Sequence, residues 1–128
     1  MVKLGCQGQA QDLVVKSNTA QVLGSGDLPV YATPAVLALV EKAAWQSVAV
    51  DLEDGQSSVG TQITLEHLAA TPLGLEVKAV TELIQIDGRK LVFRFEVRDS
   101  SGIIAQGKHE RFIVQKEKFL QRAENKKA

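Results

Sequence analysis

The stretch Tyr31-Ala-Thr-Pro-Ala-Val-Leu-Ala-Leu-Val-Glu-Lys-Ala-Ala-Trp45 limits the folds open to this chain more than any other. Thr33 is placed to cap a helix through its hydroxyl, with Pro34 at the first helical position, where its missing N–H costs nothing. From Ala35 to Val40 every residue is apolar, so that half of the helix has no polar face and should be buried. The spacing predicts a helix from about Pro34 to Val50. Glu41 breaks the apolar run. An unpaired buried carboxylate is costly, so Glu41 sits either at the edge of a solvated stripe with Lys42 and Gln46 or in the interior for a reason.

Around this helix the pattern is extended. Residues 1–8 read as a loose lead-in, and Asp12 to Leu23 as one strand or two short ones. Gly24-Ser-Gly-Asp27 reads as a turn and flexible connector rather than a phosphate loop, because a lone Gly-x-Gly is a weak signal. Asp51 to Ser58 is a polar loop. In Thr61 to Leu68, Ile63 and Leu65 alternate with Gln62, Thr64 and Glu66, the period of a half-buried strand. Leu75 to Ile86 alternates less cleanly, and Asp87-Gly88 is a strong hairpin signal. Lys90 to Arg98 sets Leu91, Phe93, Phe95 and Val97 on one face. After the Ser100-Ser101-Gly102 turn, Ile103 to Val114 forms the last strand. The charged tail from Gln115 reads as a short helix. One buried helix followed by a meander of antiparallel strands is α+β, with the sheet wrapped around the helix.

With 128 residues and 45% hydrophobic content, one domain can bury a real core, about 9–120, ahead of the basic C-terminal tail. The 15 basic and 15 acidic residues balance, which argues against nucleic-acid or membrane-surface binding. A single cysteine, Cys6, excludes an intrachain disulfide framework and fits a reducing, cytoplasmic setting. No segment approaches membrane-spanning length.

His67 continues the inward face of its strand behind Ile63 and Leu65. Alone it reads as a core histidine. Beside a helix that opens with Thr33 and carries Glu41, it suggests more. A carboxylate orienting an imidazole that faces a hydroxyl or water is the logic of nucleophile activation, and a helix N-terminus offers amides to a developing oxyanion. His109, two residues before Arg111 on the last strand, reads as structural.

Tyr31-Ala-Thr33-Pro with Glu41 eight positions on, Ser58-Val-Gly60-Thr61, His67-Leu-Ala-Ala-Thr-Pro-Leu-Gly74 and His109-Glu-Arg111 together resemble the hot-dog-fold thioesterases of the fluoroacetyl-CoA thioesterase type. The likeness runs from about Val30 to Leu120. It implies a hot-dog fold, a homodimer with sites at the subunit interface, and hydrolysis of a short-chain acyl-CoA to the acid and free CoA. No metal and no cofactor are implied beyond the CoA of the substrate. It places Thr33, Glu41 and His67 on the catalytic positions, with His67 oriented by Glu41, and Gly60 and Arg111 on positions that hold the substrate. It also favours the interior reading of Glu41. Where the fluoroacetyl-specific enzyme has lid phenylalanines, Gly24 to Val30 has none, which implies a broader or different short acyl group. Two other classes share such a frame, a non-catalytic acyl-CoA-binding module and a hydroxyacyl-thioester dehydratase. Neither requires Thr33, Glu41 and His67 together.

Overall fold

The computed structural model describes residues 1–127. Helix α2, Thr33–Ala49, lies against a five-stranded antiparallel sheet in the order β1-β3-β4-β5-β2. The strands are β1 Gln7–Leu13, β2 Gln56–His67, β3 Glu76–Asp87, β4 Lys90–Asp99 and β5 Gly102–Gln115. Short helices α1, Ala20–Leu23, and α3, Lys116–Glu124, complete the chain. This is the α+β, helix-and-wrapping-sheet arrangement expected above.

Helix α2 buries one stripe rather than its whole surface. Val36, Leu39, Val40, Ala43, Ala44 and Val48 face the sheet at helical spacing. Val36 to Ala43 meet Val77, Ala79, Phe95, Val97 and Ile104, while Ala44 and Val48 meet Leu83, Leu91 and Phe93. Each valine, leucine, isoleucine or phenylalanine among them, fully buried, stabilises by about 1.5–3 kcal/mol, and each alanine by less. Ala38 is exposed, and so is Trp45 at 44%, so the expectation that the apolar half has no solvated face is corrected. Leu37, Glu41 and Trp45, spaced by four, form a row beside the buried stripe.

The helix start also differs from expectation. Ala32 is the cap and makes no side-chain capping bond, so Thr33 is the first helical residue and Pro34 the second. The Thr33 hydroxyl is instead taken by a partner across the chain. The approach to the helix is pinned by Tyr31, whose buried hydroxyl donates to Asp12 Oδ2 at 2.8 Å. Burial and the Asp12 carboxylate push the Tyr31 pKa far above its ordinary value.

Strand β1 begins inside what reads as a lead-in, and the second half of Asp12–Leu23 is a 3-10 turn and α1 rather than strand. The inward residues of β1 are Gly8 and Ala10, so it carries no hydrophobic alternation. Small residues are required there. A Cβ on Gly8 would collide with the Ala43 carbonyl on α2 and approach Ser47 Cβ and Thr81 Oγ1 at 2.8 Å. Because helix backbone cannot move aside cheaply, Gly8→Ala should lower stability by about 1–3 kcal/mol, read as a drop in the urea midpoint. An unchanged midpoint would show that α2 does not press on β1 this closely.

Candidate active site

Two clusters of chemistry-bearing side chains lie along β2, and one chain does not bring them together. The first joins its C-terminal end to the start of α2. Thr33 Oγ1 lies 2.7 Å from His67 Nδ1. If the hydroxyl donates, Nδ1 is the acceptor and the proton of the neutral ring sits on Nε2. That Nε2 is buried with no hydrogen-bond partner among the described residues. Burial lowers the His67 pKa, only partly offset by the nearby Ala69 backbone, so the ring favours its neutral, proton-accepting form. Thr33 and His67 open on a cleft of about 280 Å³ that also involves Val30, Leu68 and Ala69. At this helix end Pro34 has no N–H and Ala35 N–H is bonded to Ala32 O, while the Thr33 amide has no backbone partner among the described residues.

The second cluster is built around Arg111 on β5, which is 5% exposed. Its Nε donates to Ser58 Oγ at 2.9 Å, Nη2 to Ser58 O at 3.0 Å, and Nη1 to Glu41 Oε2 at 3.0 Å. Glu41 thus reaches the sheet from α2 and neutralises a buried cation. Burial lowers the Arg111 pKa while Glu41 raises it, and a guanidinium stays charged throughout. Nη1 also lies 3.1 Å from His109 Nε2, and His109 Nδ1 lies 2.9 Å from Gln62 O. A carbonyl only accepts, so Nδ1 carries the proton and Nε2 accepts from Arg111. His109 is 2% exposed and stacks with Phe93 at a centroid distance of 6.2 Å. Burial is the main cause of its lowered pKa.

Gly60 lies directly against this cluster. It pairs with Arg111 in the β2–β5 ladder, just before a bulge that shifts the register at Gln62. A Cβ there would overlap Glu41 Oε2 and crowd His109 Cε1 at 3.2 Å. The notch lets the carboxylate lie flat against the strand. His109, read from the sequence as structural, is therefore part of the network, as is Ser58. Neither is marked by spacing alone, since both depend on a long-range pairing.

Within one chain Glu41 does not hold His67. Its Oε2 faces Arg111, with His109 Nε2 at 4.0 Å, and its side chain is 37% exposed. Arg111, expected to hold substrate, has four of its five N–H donors engaged inside the protein.

The family model for the fluoroacetyl-CoA-specific thioesterase FlK matches residues 14–117. The chain belongs to that family. Fluoroacetyl-CoA thioesterase from Streptantibioticus cattleyicolor is 41% identical over 90 residues, 70% of this chain. The chain spans 65% of the length of that curated relative. A solved structure of the fluoroacetyl-CoA thioesterase FlK superposes with a TM-score of 0.92 at 32% identity, covering 98% of both chains. A Thermus thermophilus thioesterase superfamily member follows at TM-score 0.91 and 25% identity, covering 99% of this chain and 94% of its own. A hot-dog-like protein from Thermanaerovibrio acidaminovorans shares the fold at TM-score 0.87 and 23% identity, covering 96% of this chain and 91% of its own. The fold is the hot dog.

Both imidazoles resist protonation in the folded chain, and this fixes a pH dependence. As pH falls through about 6.5 the unfolded chain takes up protons that the folded chain refuses, so stability falls with pH below that value. Urea midpoints measured from pH 7.5 to pH 5 should decline, and less steeply in His109→Gln. An equal slope in the variant would mean that His109 titrates normally in the fold.

Proposed function

We propose that this chain hydrolyses a short-chain acyl-CoA thioester to the carboxylic acid and free CoA. The observation that carries the reading is the 2.7 Å contact between Thr33 Oγ1 and His67 Nδ1, in a chain of the thioesterase family. His67 Nδ1 takes the Thr33 hydroxyl proton as Oγ1 attacks the thioester carbonyl. The Thr33 amide meets the oxyanion at the positive end of α2. When the tetrahedral intermediate collapses, the C–S bond breaks and the CoA sulfur receives the proton held by His67. Water, activated by the same imidazole, then releases the acid and restores Thr33. No cofactor enters this chemistry.

The small Thr33–His67 cleft, about 280 Å³ within one chain, supports a short acyl group. Gly24 to Val30 supplies no aromatic lid, which supports an acyl group other than fluoroacetyl. A dehydratase would not need Thr33, and a non-catalytic binding module would need neither Thr33 nor a base beside it. Among the described residues no helix is long and apolar enough to cross a membrane, and the single cysteine fits the cytoplasmic setting we propose.

The catalytic carboxylate in this proposal is Glu41 of a second copy. Thr33 and Glu41 stand about 12 Å apart along α2 at 1.5 Å per residue, too far for both to meet one thioester carbonyl. Strand β2 is a sheet edge, with backbone groups open to pairing. If two copies of β2 pair antiparallel about an axis between Ile63 and Thr64, His67 of one faces Gly60 of the other, where Glu41 rests. The Leu37–Glu41–Trp45 row would be covered in the same step. The homodimer then holds two composite sites, and Arg111 and Gly60 serve by fixing Glu41.

Thiol release from a panel of acyl-CoA chain lengths tests the activity. Replacing the general base, His67→Ala, should cost about 10²–10⁴ in kcat, and Thr33→Ser should retain more activity than Thr33→Ala. The acid limb of kcat/KM should lie below the ordinary histidine value, because the base must be neutral and its pKa is lowered. Unchanged turnover in His67→Ala, or enoyl product without thiol, would overturn the reading.

A further inference from the structure

With Arg111 buried and four of its five N–H donors engaged, the phosphates of an acyl-CoA call for cations at the surface, and the described residues offer a group of them. Arg89, at the β3–β4 hairpin, and Lys118 and Arg122, one turn apart on α3, line a single cleft of about 240 Å³ with Phe119, Val114 and Gln115. The lining holds three cations and no carboxylate, and none of the three is in a salt bridge among the described residues, where Lys90, Arg94 and Arg98 each are. Like charges four apart on a helix repel and destabilise it slightly, so Lys118 and Arg122 on one face are an arrangement that an anion would relieve. The cleft is held in place by the backbone, since Ile113 N–H donates to Arg89 O and Lys116 N–H to Gly55 O, both at 2.9 Å. Its floor is partly apolar, and Phe119 is 42% exposed, a ring on which a planar base can stack.

We propose that this cleft binds the phosphorylated nucleotide end of the CoA substrate, an inference that rests on the thioesterase reading. The cations meet the diphosphate and the ribose 3′-phosphate, and Phe119 lies against the adenine. Arg111 and Gln115 are four residues apart on β5, about 13 Å at strand spacing, and α3 begins directly after. The extended phosphopantetheine arm spans that distance. The chain that supplies Glu41 and Arg111 to a site therefore supplies the nucleotide clamp of the same site. Charge-assisted contacts to phosphate from exposed cations strengthen as salt is lowered.

The test uses Lys118→Glu/Arg122→Glu in the full chain, both sites being exposed on α3, with thermal melting to confirm the fold. Isothermal titration with adenosine 3′,5′-bisphosphate should show binding to the wild type, weakened about tenfold or more in the variant. KM for acetyl-CoA should rise by a similar factor with kcat unchanged, while acetyl-pantetheine, which lacks the nucleotide, is hydrolysed equally by both proteins. Equal nucleotide binding by the two proteins, or no binding by the wild type, overturns the inference. So does a KM shift that acetyl-pantetheine shares. If nucleotide binding is lost in the variant but the wild type hydrolyses no thioester, the clamp stands and the thioesterase reading falls. If the wild type hydrolyses acetyl-CoA and the variant matches it, the reading stands and the clamp falls.

Discussion

A buried arginine must be neutralised, and much of this structure follows from how Arg111 is. Its guanidinium lies inside the sheet with Ser58, Glu41 and His109 around it. Removing one partner of such a pair leaves a charge uncompensated in low dielectric. That requirement draws Glu41 down from α2 and sets its Oε2 where a side chain at residue 60 would begin, while the Gln62 carbonyl fixes the tautomer of His109 beside it. Because Glu41 is 37% exposed, solvent screening keeps the pair from being a large source of stability. Its effect is positional, since it aims a carboxylate along the open edge of β2.

The other half of the chemistry is held by different means. Thr33 is set by the helix start, which Tyr31 ties down through Asp12. His67 is set by the end of β2, where Leu68 N–H donates to Ile104 O at 2.7 Å. Two rigid elements thus present a hydroxyl and an imidazole to one cleft, while two turns further along α2 Glu41 turns its carboxylate to Arg111 instead. On the reading proposed above, the fold separates base and acid within a chain and joins them between chains. Assembly then becomes a condition of activity.

Much of the frame is legible in the sequence because hydrophobic period and turn residues are local signals. The α2 stretch, the Asp87-Gly88 hairpin and the Leu91–Val97 alternation all fall where their chemistry puts them. Strand β1 was not legible, since the close approach of α2 demands Gly8 and Ala10 in place of larger apolar residues. The inward face of the Ile63–Leu65–His67 alternation points His67 at the helix that Thr33 opens, and the contact spans 34 residues; the local cap signal alone gives the Thr33 hydroxyl a different partner. The Glu41–Arg111 pair is a 70-residue contact that depends on β5 lying between β4 and β2, so composition and spacing could name the residues but not join them. The likeness implied that Glu41 orients His67, and within one chain Glu41 faces Arg111 instead, a choice that the spacing along α2 does not make.

The most direct test of the composite site is subunit complementation. Inactive Thr33→Ala and Glu41→Gln proteins are mixed after reversible dissociation, and thiol release is measured on the exchanged population. In a heterodimer one site holds both lesions, and the other holds Thr33 and His67 from one copy with Glu41 from its partner. The account predicts that activity returns, to about half that of a wild-type dimer per heterodimer formed. Exchange confirmed by mass spectrometry with no recovery of thiol release would contradict it.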